Sequence, residues 1–189
     1  MNDYKYVDLI LGKQCQTKMG RGGIRPLEFK TFSKEMQNAI TNYCQAGGNF
    51  FVSGAYVASD LWDNRLVKAN EEDKKFAMEV LKYKWRVGQA ARNGKVKSVA
   101  SPFPEITGSY TYYQDLNPES YVVESPDALE PAAQGAFTIL RYSENNLSAG
   151  IAYKGNYKTC VLGFPFEAIR TVTERELLMK ACLLYTSPS

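Results

Sequence analysis

Residues 33–62 read SKEMQNAITNYCQAGGNFFVSGAYVASDLW, and this stretch decides the fold. Ser33 is a typical helix cap, and the apolar residues after it recur at the i, i+3, i+4 spacing of one helix face. Those residues are Met36, Ala39, Ile40, Tyr43 and Cys44. Gly47 and Gly48 end the helix, and Asn49–Val52 then reads as a buried strand. Since Tyr6–Leu11 is a similar apolar run before the helix, the order predicts a βαβ unit with parallel strands.

Two further helices are predicted from their caps. Asn70 with Asp73 three residues later begins one helix, and Thr173 with Glu176 begins the last one as a capping box. The inner stripe of the first comprises Phe76, Ala77, Val80, Leu81 and Trp85. The apolar face of the second comprises Leu177, Leu178, Ala181, Cys182 and Leu184.

Residues 95–165 show no helical periodicity and consist of short β-rich pieces separated by Pro, Gly and Asn. The pieces are Val96–Ala100, Ser109–Tyr113, Tyr121–Val123, Ala136–Tyr142, Gly150–Tyr153 and Thr159–Phe164. The last three should form two consecutive hairpins. We therefore predict an α/β protein, a three-layer core with an inserted or appended antiparallel β section in its C-terminal half. Strands Tyr6–Leu11 and Asn49–Val52 should be central, because nearly every residue in them is apolar.

Composition limits the classes of function. The net charge is only +3 and no long run of Lys or Arg occurs, so no nucleic-acid partner is predicted. No stretch approaches the roughly 20 apolar residues of a membrane span. The four cysteines lack metal-ligand spacing, and three of them fall on apolar faces, as small buried hydrophobes do. We predict no metal, no cofactor and no disulfide framework.

The turn Ser53-Gly54-Ala55 follows the second strand, where many α/β hydrolases carry a nucleophile. The chain contains no histidine, the usual base that activates a serine or cysteine. A Ser-His-Asp or Cys-His-Glu triad is therefore impossible from its own residues. We predict no catalytic residue, and Ser53 is expected to be a turn residue or a ligand contact.

A ligand-binding rim is predicted where ligands of open α/β sheets collect, beyond the carboxyl ends of the strands. The candidate rim residues are Lys13, Gln14, Ser53, Tyr56, Ser59 and Asp60. Capping of a short helix is the alternative role for Asp60. A second hypothesis is an aromatic sugar platform, and ordinary strand packing is the competing interpretation of the same rings. Its members would be Trp85, Tyr110, Tyr112, Tyr113 and Tyr121.

Two stretches carry a family resemblance. One is the pattern FSxxxQxxIxxYxxAGGNxFVSGAxxxxDL over residues 32–61, and the other is VLGFPFEAI over residues 161–169. Together they resemble a domain of large cell-envelope proteins of Bacteroidetes, often labelled xanthan lyase. That domain is similar to the class I glutamine amidotransferase fold, so the resemblance implies a flavodoxin-like three-layer sandwich. The catalytic members of that class need a cysteine at the turn after the strand, and this chain has Ser53 there. No catalytic residue is carried over.

The resemblance implies one amidotransferase-like domain over residues 1–185, truncated at its N-terminus. Residues 186–189 form a tail that is expected to be non-native. It further implies a non-catalytic structural or glycan-binding module of a secreted or cell-envelope protein, with the neighbouring domains of the same parent as partners. The alternative is a part of a glycan-active enzyme, a polysaccharide lyase or an amidase, whose catalytic residues lie outside this chain.

Overall fold

The computed structural model describes residues 3–15, 17–18, 27–28, 30–63 and 70–186. Its strands are β1 (Tyr6–Ile10), β2 (Thr17–Lys18), β3 (Leu27–Glu28), β4 (Asn49–Ser53), β5 (Tyr83–Val87), β6 (Lys95–Ser98), β7 (Ser109–Thr111), β8 (Ala128–Pro131), β9 (Ala136–Tyr142), β10 (Ser148–Lys154) and β11 (Lys158–Leu162). Its α-helices are α1 (Lys34–Gln45), α2 (Ser59–Trp62), α3 (Glu71–Phe76) and α4 (Val172–Thr186). A π-helical turn covers Ala77–Leu81, and a 3₁₀ turn covers Phe166–Ala168.

The chain is a mixed α/β protein with one seven-stranded sheet in the order β1-β4-β11-β10-β9-β6-β7. Strands β1, β4 and β11 are parallel to one another, and the remaining neighbours are antiparallel. The predicted βαβ unit is confirmed, since β1 and β4 pair in parallel on either side of α1 in the chain. The prediction that both strands are central is wrong for β1. Among the described strands β1 pairs only with β4, and Ile10 is 47 % exposed.

Strand β4 lies between β1 and β11 and is buried on both faces. Phe50 and Val52 pack into a cluster that includes Ile40 and Cys44 of α1. Phe51 packs into a second cluster on the other face, with Leu178, Ala181 and Cys182 of α4. Helices therefore cover both faces of the parallel part of the sheet.

Helix α1 begins where its cap predicts, because the Ser33 side chain accepts a hydrogen bond from the Met36 amide. Ile40, Tyr43 and Cys44 are buried as expected. Ala39, which was predicted on the buried face of α1, is exposed, and Gln37 is buried in its place. The Gln37 amide donates to the Phe32 carbonyl and to Asp73, so its polar group is satisfied inside the protein.

The two later helices differ from their predicted limits. The segment capped by Asn70 ends at Leu81, where Lys82 takes a left-handed conformation with φ 68°, and Trp85 belongs to β5 instead of the helix. The last helix begins two residues earlier than predicted. Its capping hydroxyl is that of Thr171, which accepts from the Glu174 amide, and Leu177 is 57 % exposed. The sequence TVTERE offers two overlapping T-x-x-E boxes, which explains the shift.

The antiparallel strands continue the main sheet instead of forming a separate section. Both predicted hairpins are present, as β9–β10 and β10–β11. The separate pair β5–β8 was missed, and Tyr121–Val123 contains no strand. In the described part of the chain, no helix has the length and apolar character needed to cross a membrane.

Gly163 follows β11 at a point where no side chain fits. A Cβ atom there would lie 2.0 Å from the Asp127 carbonyl oxygen, which is backbone and cannot move aside alone. We expect Gly163→Ala to lower the free energy of unfolding by about 3 kcal/mol, at the upper end for overpacking. Gly88→Ala is the matched control, since its Cβ would meet no atom closer than 3.6 Å and should change stability by less than about 0.5 kcal/mol. Urea denaturation measures both, and equal effects would contradict the packing argument.

Candidate functional site

The turn after β4 is closed by backbone hydrogen bonds to its two parallel neighbours. Leu11 donates to the Ser53 carbonyl, Ala55 donates to the Gly12 carbonyl, and Gly54 donates to the Leu162 carbonyl. A Cβ on Gly54 would lie 3.0 Å from the Leu11 Cβ, so glycine is needed for close approach. The Ser53 side chain is fully buried, and its hydroxyl oxygen accepts from the Phe166 amide at 3.3 Å. Ser53 therefore supports the segment after β11 and is not presented to solvent.

Asp127, just before β8, anchors the segment that follows this turn. Its Oδ2 atom accepts hydrogen bonds from the amides of Ala58 and Ser59, each at 2.8 Å, and from the Ser59 hydroxyl at 3.2 Å. Its Oδ1 atom accepts from the Trp85 indole at 3.2 Å. Burial raises the pKa of Asp127 to about 7, although these four donors favour the charged form. This carboxylate was not singled out from the sequence.

The six predicted rim residues do not converge on one pocket. Lys13 pairs with Glu124 at 2.6 Å and lies over the Tyr121 ring, and Ser53 is buried beneath Phe166. The other four form two local networks. The Thr31 hydroxyl donates to the Gln14 carbonyl, and the Thr31 amide donates to the Asp60 carboxylate. Ser59 and Asp60 are fully buried. Ser59 bonds Asp127, and half-buried Tyr56 interacts with Ser125. Ligand binding by these residues stays a prediction.

A polar cleft of about 440 Å³ opens at the end of β1 and beside the segment that follows β11. It lies at the carboxyl edge of the parallel strands, where the sequence placed a rim. We call it the edge cleft, and its lining residues are Ile10, Tyr113, Glu119, Ser120, Phe166, Glu167, Arg170 and Arg175. Two predicted rim residues connect to this cleft, Ser53 through Phe166 and Lys13 through Tyr121.

Glu167 is the most constrained carboxylate of the edge cleft. The Tyr121 hydroxyl donates to its Oε1 atom, while its Oε2 atom is buried and accepts no hydrogen bond from the described residues. Glu167 also acts on Asp8 of β1. Although Asp8 is exposed on the edge strand, partial desolvation first and the nearby Glu167 charge second raise its pKa to about 6. Glu167 therefore lines the cleft with a carboxylate that accepts one hydrogen bond from the described residues.

Two guanidinium groups line the cleft, that of Arg170 from the segment before α4 and that of Arg175 from the first turn of α4. Arg170 lies 5.2 Å above the Tyr113 ring and 3.6 Å from Asp115, and Arg175 donates to the Ile169 carbonyl. The Tyr113 hydroxyl donates to Glu119, which fixes that carboxylate in the same cleft. The edge cleft thus combines donors, acceptors and an aromatic ring.

The residues of the hypothesised aromatic sugar platform lie in different parts of the structure. Tyr110 and Tyr112 are buried in the core, at 2 % and 1 % exposure, and Trp85 faces Asp127. Only Tyr113 and Tyr121 border the edge cleft region, one in its lining and the other behind Glu167. Sequence reasoning missed Glu167, Arg170 and Arg175. The strand-end rule that pointed to Lys13 after β1 would have pointed to Glu167 after β11.

No group of three His, Cys, Asp or Glu residues within the described ranges could hold a metal ion. Cys44, Cys160 and Cys182 are buried as predicted, and Cys15 is partly exposed. Burial raises the pKa of Cys44 to about 12, which keeps this thiol protonated and unreactive.

Removing the Asp127 carboxylate should destabilise the protein strongly. In Asp127→Ala the buried amides of Ala58 and Ser59 and the Trp85 indole lose their acceptor, so we expect a loss of about 3 kcal/mol or more. Asp115→Ala is the control, because this exposed residue forms a single ion pair at 3.6 Å and should cost less than about 1 kcal/mol. Chemical denaturation compares them, and a small effect at Asp127 would refute its role as an anchor.

The Asp8–Glu167 interaction predicts a measurable titration. By carboxyl NMR, Asp8 should titrate near 6 in the unchanged protein, and Glu167→Gln should lower that pKa, because one of its two causes is removed. Since the folded state holds the proton more tightly than the unfolded state, this group stabilises the fold below about pH 4. The contribution is lost as the pH rises from about 4 to about 6. A normal Asp8 pKa, or one unchanged in Glu167→Gln, would contradict the coupling.

Neither the protein-family models nor the curated proteins give a match to this chain. Among solved structures, the chain is similar to an exo-β-1,4-mannosidase from an Opitutaceae bacterium, strain TAV5, with a TM-score of 0.47 and 10 % identity. The similarity covers 83 % of this chain and 24 % of the mannosidase, so the chain spans about a quarter of that protein's length.

Proposed function

We propose that this chain is a non-catalytic binding module that holds a saccharide in the edge cleft. The observation that carries the proposal is the lining of the cleft at the carboxyl edge of β1, β4 and β11. Two carboxylates, two guanidiniums and a tyrosine face one space of about 440 Å³. That volume falls within the range of small-molecule sites.

The chemistry of the lining matches a sugar better than an apolar ligand. Sugar hydroxyls donate to carboxylates and accept from guanidiniums, and both kinds of partner are present in Glu119, Glu167 and Arg170. The rings of Tyr113 and Phe166 offer flat apolar surface for the C–H face of a sugar ring. The Glu167 carboxylate lines the cleft and accepts a single hydrogen bond, from the Tyr121 hydroxyl, within the described residues, so it can accept a further bond from a sugar hydroxyl.

The environment of Ser53 supports ligand binding without nucleophilic attack by this serine. Ser53 is fully buried, and its oxygen already accepts the Phe166 amide. A serine nucleophile needs an activating base, and the chain lacks histidine.

For the fold, we propose a three-layer relative of the flavodoxin-like and amidotransferase-like sandwich. The parallel strands β1, β4 and β11, with α1 and α4 on opposite faces, support this assignment. The four antiparallel strands that complete the sheet depart from the doubly wound pattern. As the resemblance implies, we propose that the module acts beside other domains of a secreted or cell-envelope parent protein.

A second candidate is a part of a glycan-active enzyme. Glycoside hydrolysis commonly uses two carboxylates and requires no histidine. Asp8 and Glu167 interact electrostatically, and the raised Asp8 pKa is the kind of perturbation that a general acid shows. Saccharide cleavage by the chain that is lost in Glu167→Gln would favour this candidate over the binding module.

The binding proposal is tested by filling the edge cleft. Glycan-array screening of the chain, followed by calorimetry on the hits, should give binding that Ser120→Trp weakens by at least about tenfold, because the indole occupies the cleft. Asn156→Trp is the control, since Asn156 is exposed in the turn before β11, at the opposite end of that strand. Absence of saccharide binding, or equal binding by both variants, would refute the proposal.

A further inference from the structure

Resting on the proposed function, we infer that the bound saccharide is anionic, with a carboxylate that binds Arg170 and Arg175 while its hydroxyls bind Glu167. The edge cleft would thus select uronic-acid sugars over neutral sugars of the same linkage. The inference depends on how charge is arranged around the cleft.

The two guanidiniums supply an anion-binding wall. Arg175 forms no ion pair with a carboxylate of the described residues, and its bond to the Ile169 carbonyl leaves other N–H groups of its fork available. Arg170 is held over the Tyr113 ring, and its contact with exposed Asp115 is a loose one at 3.6 Å. Paired arginines in a fixed geometry are suited to a planar carboxylate, which accepts two parallel N–H bonds.

The carboxylates exclude a bare anion as the preferred ligand. Glu119 and Glu167 line the same cleft, so the four charged side chains sum to zero. A free phosphate or sulfate would approach these carboxylates without offering them a donor. A sugar acid instead presents its hydroxyls to the Glu119 and Glu167 carboxylates and its own carboxylate to the arginines. The charges of the cleft therefore match a ligand that is both polyol and acid.

The test compares two ligands that differ in one group. β-1,4-linked tetraglucuronate and cellotetraose share a linkage. Each sugar residue carries a carboxylate in tetraglucuronate and a hydroxymethyl group in cellotetraose. In calorimetry we expect the full chain to bind tetraglucuronate at least about tenfold more tightly. The preference should weaken as salt rises from about 50 mM to 500 mM, because the pairing is electrostatic.

Substitutions of the cleft residues test which side chains produce the preference for the acidic sugar. Arg170→Gln and Arg175→Gln should each weaken tetraglucuronate binding by a larger factor than cellotetraose binding, and Glu167→Gln should weaken the binding of both ligands by similar factors. Arg86→Gln is the matched control. Arg86 of β5 pairs with Glu130 of β8 at 3.5 Å and does not line the cleft. If thermal melting shows that Arg175→Gln is destabilised, Arg175→Lys keeps the charge but removes the fork geometry and should still lose preference.

The outcomes separate the two proposals. Equal affinity for both tetrasaccharides, or a preference that survives both arginine substitutions, overturns the anionic-sugar inference and leaves the binding module standing. Tight binding of inorganic phosphate that displaces the sugar acid also overturns the inference. If neither tetrasaccharide binds and the array gives no saccharide, the proposed function itself fails.

Discussion

The burial of β4 is the constraint on which the rest of this structure depends. Phe50 and Val52 face one side of the sheet and Phe51 faces the other, so apolar surface must be covered on both sides. Helix α1 covers one side and α4 covers the other. Because β1, β4 and β11 then run in parallel, the segments that follow them meet at one edge. The edge cleft is a consequence of that meeting.

Asp127 shows how an irregular segment can be held inside a protein. The stretch after β4 turns through Ala58 and Ser59, whose amides are buried and lack strand partners. One carboxylate satisfies both, and the Trp85 indole as well. A buried charge is costly, yet one that accepts four hydrogen bonds compensates amides that would otherwise be unpaired. The carboxylate thus fixes the segment that follows the turn after β4.

The lack of histidine concerns catalysis by Ser53, whereas the edge cleft concerns the binding of a polar ligand. Without an imidazole, Ser53 has no conventional activating base, and its burial under Phe166 is consistent with a supporting role. Carboxylates and guanidiniums need no such base to bind a polar ligand. The residues that could recognise one come from β1, from residues 113–120 and from residues 166–175. The parallel pairing of β1, β4 and β11 brings the first and last of these together, and residues 113–120 join them because residues 111–113 pair with residues 168–170.

The sequence by itself determined the local elements: the Ser33 cap, the βαβ order, the two hairpins and the burial of Cys44, Cys160 and Cys182. Each depends on side-chain spacing or on capping chemistry within a few residues, which a linear pattern contains. Only the tertiary structure decided that β1 lies at an edge, that β5 pairs with β8, and that the last helix uses Thr171 instead of Thr173. It also decided the site, because Ser59 and Asp60 turn inward while Glu167, Arg170 and Arg175 face the cleft. Which polar side chains share a space depends on the pairing of strands that are distant in sequence, and no local pattern encodes that pairing.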